Sequence, residues 1–333
     1  MCPVVYDVVV SMGLRPALVD VSPETYNIDI TNIEKTRLED SRFIVPVHLF
    51  GKSCDVDETI EFAESHGLYV VEDAAQALGV EHRGRKIGSF GDVSILSFGL
   101  GKIITGGSGG ALVINRDDLV EDAKNMMEEL VIPKFQNRIK IARNIMAMKF
   151  LANPYLYSII RNYVDSGLEE TDRKMVKHIK TSLIKPNSNE YRPHRIHPLS
   201  AKIANYQLER IQEFNRRRVY NAKILSDILV NQSVAHTPSK EYFKNNVFCR
   251  FPIKLSKDVS YKRDLIVQKL LKLGIDAEKP YFVLKELLSA FKHVPNSMEL
   301  VNTLINIPNH PCLSDNEVVS VGEATLSVLK SDF

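Results

Sequence analysis

Two short apolar runs, Leu68-Tyr-Val-Val-Glu-Asp73 and Val93-Ser-Ile-Leu-Ser97, are rich in β-branched residues and end in polar side chains followed by turn formers. This pattern predicts buried strands whose polar residues stand at their carboxyl ends. Ala17 to Val21, Phe43 to His48 and Gly109 to Asn115 also read as strands, and Thr59 to His66 as a helix that Gly67 stops. Such alternation argues for an α/β fold with a mostly parallel sheet covered by helices. From about Asp117 the pattern changes to long helical periodicity. Leu199 to Leu229 reads as one strong helix, with Phe214-Asn-Arg-Arg-Arg218 as its solvated face. Phe248 to Leu255, Leu265 to Leu273 and Glu317 to Leu329 then suggest a smaller α+β C-terminal domain. The expected organisation is a large domain over 1–130, a helical insertion and basic connection over 131–197, and a small domain over 198–333.

Composition narrows the classes. The chain has 333 residues, 25% charged and 44% hydrophobic, with a formal net charge of +2. These are ordinary globular values, and the charge predicts neither nucleic-acid binding nor a polyanionic partner. Cys2, Cys54, Cys249 and Cys312 lie far apart with no metal-type spacing, as expected of reduced thiols in a cytoplasmic protein. The residues Met1-Cys-Pro-Val-Val-Tyr-Asp7 do not resemble a signal peptide. Phe150 to Ile160 is too short to span a bilayer, so no membrane span is expected. Arg138 to Phe150 reads as a basic amphipathic helix, of a kind that lies on a membrane surface or, more often, packs on its own domain.

The chemistry gathers at the strand ends, where open α/β sheets hold their ligands. Lys102 lies just beyond the 93–97 run, after Gly99-Leu-Gly101, and Asp73 ends the 68–73 run. A lysine and a buried carboxylate brought together match what pyridoxal 5'-phosphate needs. The amine forms the Schiff base, and the carboxylate keeps the pyridine nitrogen protonated. The competing role for Asp73 is a helix N-cap before Ala74-Ala-Gln76, and for Lys102 an exposed charge. Apolar and glycine residues on both sides of Lys102 weaken the latter. Ser97 is placed to donate to the cofactor phosphate, and Gly106-Gly-Ser-Gly-Gly110 allows close backbone approach to a ligand or a neighbouring strand. The spacing around Lys102 is neither a Walker A loop nor a dinucleotide fingerprint, and His194 and His197 lack further metal ligands. Lys177, Lys180, Lys185, Arg192 and Arg195 could meet phosphates, or form a solvated loop.

Several phrases carry a resemblance: Pro46-Val-His-Leu-Phe-Gly51, Val71-Glu-Asp-Ala-Ala-Gln-Ala-Leu-Gly79, Gly84-Arg-Lys-Ile-Gly-Ser-Phe-Gly-Asp92, Ser97-Phe-Gly-Leu-Gly-Lys102 and Gly109-Gly-Ala. Through them the chain resembles the DegT/DnrJ/EryC1/StrS family of nucleotide-sugar aminotransferases. The resemblance implies the aspartate-aminotransferase (type I) fold and a homodimer with its active sites at the subunit interface. It implies Lys102 as the Schiff-base lysine and Asp73 as partner of the pyridine nitrogen. Gln76 would then contact the phenolic oxygen, and Ser97 the phosphate. The implied substrates are glutamate and a keto-sugar carried on a nucleotide diphosphate.

The chain also departs from that pattern. Family members begin with a further segment whose Ser/Gly-Thr turn binds the phosphate, and this sequence starts after it. Cys2 falls where an aromatic residue commonly stacks on the ring, and Pro193 where the partner subunit offers an asparagine. Ser108 replaces a common glutamate, and Pro280 a common histidine before Tyr281. Two classes of function follow: an active aminotransferase, or a catalytically silent member acting as a binding or regulatory subunit.

Overall fold

The computed structural model describes residues 3–33, 38–132, 139, 194–230, 232–280 and 293–331. The first half contains α1 (Pro3–Ser11), β1 (Phe43–Ile44), α2 (Val56–Ser65), β2 (Tyr69–Asp73), β3 (Glu81–His82), β4 (Arg85–Lys86), β5 (Val93–Ser97), β6 (Gly110–Ile114) and α3 (Val120–Glu129). Strands order as β1-β2-β5-β6, with parallel pairs β1/β2 and β2/β5 and an antiparallel β5/β6 pair; β3 and β4 form a separate hairpin. The 68–73 and 93–97 runs therefore lie side by side in the expected sheet. Alternation then sorts their side chains: Ile44, Val70, Glu72 and Ser94 are buried on one face, while Phe43, Tyr69, Ile95 and Leu112 are exposed on the other.

Helix α2 begins where Asp55 accepts the Glu58 N–H, a cap worth about 1 kcal/mol, and Gly67 follows its end at φ +63°. Its buried face is Val56, Thr59 and Ala63.

The second half contains α4 (Pro198–Leu208), α5 (Ile211–Leu229), β7 (Ala235–His236), β8 (Phe251–Leu255), α6 (Arg263–Lys272), α7 (Pro295–Thr303), β9 (Leu304–Ile307) and α8 (Asp315–Ser331). The antiparallel sheet β7-β8-β9 shares a core with α5, α6 and α8, built from Leu225, Ile253, Leu255, Ile266, Leu270 and Ile305. Each of these is at most 1% exposed, so truncation to alanine should cost about 2–5 kcal/mol. Tyr26, Leu49 and Phe50 from the first half belong to the same core. Asp20 binds the halves further by accepting the N–H groups of Asn296 and Ser297 at the start of α7, at 2.9 and 2.8 Å.

Three local expectations change. Ala17 to Val21 is not a strand; only Val21 pairs, in a single bridge to Ile28, because Asp20 is used as the cap of α7. The helix read over 199–229 is two helices, interrupted at Glu209 and Arg210. Within it, Arg218 and Asn215 are buried, at 3% and 4% exposure, rather than solvated. Both reach across to the first half, as described below. The strand read from Phe248 starts only at Phe251, since Asn245 and Phe248 have φ of +48° and +52°. Among the described residues no helix is long and apolar enough to cross a membrane, and no cluster could hold a metal ion. The amphipathic stretch over 138–150 lies outside the described residues except for Ile139.

Candidate active site

Two adjacent carboxylates at the end of β2 face opposite ways. Glu72 points into the core, where it is 1% exposed and accepts the N–H groups of Gly88, Phe90 and Gly91 at 2.9, 2.7 and 2.6 Å. His48 Nε2 adds a contact at 3.3 Å. His48 Nδ1 accepts the Cys54 N–H at 3.1 Å, which fixes the neutral Nε2–H tautomer. Burial works to raise the Glu72 carboxyl, but the bonds from His48 and from the Gly91 and Gly88 amides outweigh it and hold the group below its usual range. Glu72 thereby fastens the 88–91 turn beneath β2. Sequence reasoning passed over it, although a carboxylate inside an apolar strand, beside a glycine-bounded turn, was the available signal.

Asp73 points to the other face and is 8% exposed. Its N–H donates to Pro46 O and its carbonyl accepts from His48 N, at 2.9 and 3.1 Å, so the 46–48 segment holds both its backbone groups. Oδ1 accepts the Ala75 N–H at 3.0 Å. The local bond considered for Asp73 is therefore present as an Asx turn rather than a helix cap, since residues 74–77 form a turn. It occupies one carboxylate oxygen of two.

Register places Asp73 opposite Ile95 on β5, and Ser97 two residues further along the same face. Ser97 Oγ accepts the Gly99 N–H at 3.4 Å. Gln76 sits in the turn after Asp73, with Oε1 accepting the Phe50 N–H at 3.0 Å. That bond fixes which way the amide faces.

Lys102 follows in a half-buried bend, after Gly101 at φ +73° and before the buried Ile103 and Ile104. Its amine has no hydrogen bond or ion pair among the described residues. The bend is held from the second half of the chain. Gln207 on α4 donates to Thr105 O and accepts from Thr105 N, at 2.6 and 3.2 Å, and Arg218 on α5 donates to Ile103 O at 2.8 Å. Asn215 likewise donates to Leu78 O, at 3.1 Å, in the stretch beyond Gln76.

The glycine run lies close to neighbouring chain segments. A Cβ on Gly106 would stand 2.5 Å from Ser200 O, and one on Gly110 2.5 Å from Leu96 O. Of the basic loop, Arg195 donates to Met127 O, and Lys177, Lys180, Lys185 and Arg192 lie outside the described residues. His197 caps α4 through Leu199 N. Cys2, Pro193 and Tyr281 also lie outside.

Asp73 and Ser97 share a sheet face at the carboxyl ends of two adjacent parallel strands, and Gln76 and Lys102 follow in the turn and the bend beyond them. This set is a buried carboxylate, a hydroxyl, an amide of fixed orientation and an amine without an ion pair among the described residues. In chemical type it fits pyridoxal 5'-phosphate, with a cation-pairing group, donors for oxygen atoms and a lysine.

Known proteins give a consistent context. The family model for the DegT/DnrJ/EryC1/StrS aminotransferase family matches residues 4–144 and 147–326. GDP-perosamine synthase of Caulobacter vibrioides is 28% identical over 330 residues, covering 95% of this chain and 74% of that protein. L-glutamine:2-deoxy-scyllo-inosose aminotransferase of Streptoalloteichus tenebrarius is 38% identical over 118 residues, covering 35% of this chain and 28% of that one. In fold the chain is similar to Helicobacter pylori PseC, an aminotransferase involved in the biosynthesis of pseudoaminic acid. That match has a TM-score of 0.70 at 19% identity, covering 96% of this chain and 75% of that one. The match runs across both halves of the sequence, and the chain belongs to the DegT/DnrJ/EryC1/StrS aminotransferase family.

Proposed function

We propose that this chain is a pyridoxal-phosphate aminotransferase that moves an amino group from glutamate to a keto-sugar carried on a nucleotide diphosphate. The observation that carries the reading is the shared sheet face of Asp73 and Ser97, with the Lys102 amine, unpaired among the described residues, in the bend that follows. Pyridoxal 5'-phosphate is the cofactor of this family, and when bound it supplies an electron sink for the substrate carbon.

The chain's own residues do the rest. Asp73 offers a buried negative charge to a ring nitrogen and so favours its protonated form. Gln76 and Ser97 orient the group through its oxygen atoms. Lys102 would hold it covalently through Nζ, and its amine, once released, would serve beside the substrate as base and acid in turn. The names of the relatives support a sugar as acceptor, since one makes GDP-perosamine and another aminates an inosose. A homodimer and a cytoplasmic location belong to the same reading.

The test supplies the loaded protein with a nucleoside-diphosphate keto-sugar and either glutamate or glutamine. Formation of amino-sugar and 2-oxoglutarate in equal amounts is expected with glutamate. Turnover with glutamine alone would replace the donor, and no product from either would contradict the reading.

A further inference from the structure

The two residues that flank Lys102 are each touched by a guanidinium group from the second half of the chain. Arg250 lies against Gly101, its Nη2 2.9 Å from where a Cβ on that glycine would be, and pairs through Nε with Glu278 at 3.2 Å. Arg218 lies on the other side, with Nη2 2.8 Å from Ile103 O. The two arginines differ in cost. Arg250 has a carboxylate and is partly solvated, whereas Arg218 is 3% exposed and its Nε and Nη1 have no hydrogen-bond partner among the described residues. Burial works against its charge, and an apolar side chain of similar size would be cheaper there.

One specific bond offsets that cost. Ile103 is buried in a bend that belongs to no helix or strand, so its carbonyl needs a donor that secondary structure does not supply. Arg218 supplies it. Its own backbone is held in turn, since Asn309 Nδ2 donates to Arg218 O at 3.2 Å and to Phe248 O at 2.9 Å. With the paired bonds from Gln207 to Thr105, the backbone just after Lys102 is gripped at two alternate residues by two helices. Lys102 itself projects from the ungripped residue before them.

We propose that Arg218 is a positioning residue for Lys102: its buried guanidinium fixes the Ile103 carbonyl and so sets the direction of the neighbouring amine toward the strand ends. It touches neither cofactor nor substrate. The inference rests on Lys102 being the cofactor lysine.

The experiment compares wild type, Arg218→Lys, Arg218→Met and, as a control on the same helix, the exposed Arg216→Met. Each protein is measured for amide hydrogen exchange, then loaded with pyridoxal phosphate, reduced with borohydride and mapped by peptide. Arg218→Met should raise exchange across 103–107 at least tenfold while β2 and β5 stay unchanged, and should lower the label on Lys102 several-fold. Arg218→Lys should recover part of both, and Arg216→Met should match wild type. Should Arg218→Met not fold, Arg218→Lys decides, with a smaller change of the same kind. Folded Arg218 variants with wild-type exchange and wild-type labelling would overturn the proposal, as would equal effects in Arg216→Met. If wild type itself fails to label Lys102, the aminotransferase reading fails. The exchange comparison still decides whether Arg218 holds the bend.

Discussion

The Gln76 side-chain oxygen accepts the Phe50 N–H at 3.0 Å, tying the turn after β2 to the turn around residues 49–51. Phe50 is almost fully buried and has φ +55°, so its N–H has few other partners to find. Gln76→Leu should therefore cost about 1–3 kcal/mol through the unmet donor and weaken cofactor binding as well. Gln76→Glu keeps the acceptor and should retain most of the stability. Urea unfolding of both variants, with and without pyridoxal phosphate, separates the two effects.

Asp73→Asn tests whether charge or turn geometry matters at that position. Asparagine still offers an oxygen to the Ala75 N–H, so the apoprotein should stay within about 1 kcal/mol of wild type. It carries no negative charge to pair with a ring nitrogen. Transamination should fall on the order of 100- to 1,000-fold, the usual effect of losing one preorganised electrostatic group. Equal activity in Asp73→Asn would reduce the residue to its turn.

Glu72 sets a pH dependence of stability. Its folded pKa lies below the unfolded value, so the stabilisation is fully present above about pH 4.3 and is lost as pH falls through the folded value. Glu72→Gln should lose about 1.5–3 kcal/mol near neutral pH, because three backbone N–H groups and His48 converge on the carboxylate and one of its acceptor oxygens becomes an amide NH2. The variant's stability should also fall less steeply with acid. Unfolding midpoints measured at several values between pH 3 and pH 7 would show a gap to wild type that narrows as pH drops; a constant gap would contradict this account.

Gly106→Ala places a Cβ 2.5 Å from Ser200 O, backbone against backbone at the start of α4. We expect a loss of about 1–3 kcal/mol by overpacking, together with weaker cofactor binding, since α4 carries the Gln207 grip on Thr105. Gly84→Ala meets nothing within 4 Å and is strained only by its φ of +78°, so it should cost about 1 kcal/mol and leave the cofactor affinity alone. A cofactor titration of both variants makes the comparison.

The sheet was legible in the sequence because β2 and β5 are short, β-branched and flanked by turn formers, and their polar ends fall where parallel strands present ligands. Asp73, Ser97 and Lys102 could be picked out for the same reason, since each lies within a few residues of a strand end, whereas Gln76 was marked only by the family resemblance. Glu72 was passed over because most of its partners are backbone N–H groups, so its only mark in the sequence is a carboxylate inside an apolar strand. Arg218 was misjudged because it sits in a run of three arginines on a helix, where a solvated face is the ordinary outcome. Its burial depends on Ile103, 115 residues away in sequence. The positive φ at Asn245 and Phe248 shortened β8 for a similar reason, since that backbone is shaped by contact with Gly51.

Absorbance of the purified chain with added pyridoxal phosphate, followed by borohydride reduction and peptide mapping, tests the central claim most directly. The account predicts a shifted band with label trapped on Lys102, and neither in Lys102→Ala. No band, or label spread over surface lysines to the same extent in wild type and Lys102→Ala, would contradict it.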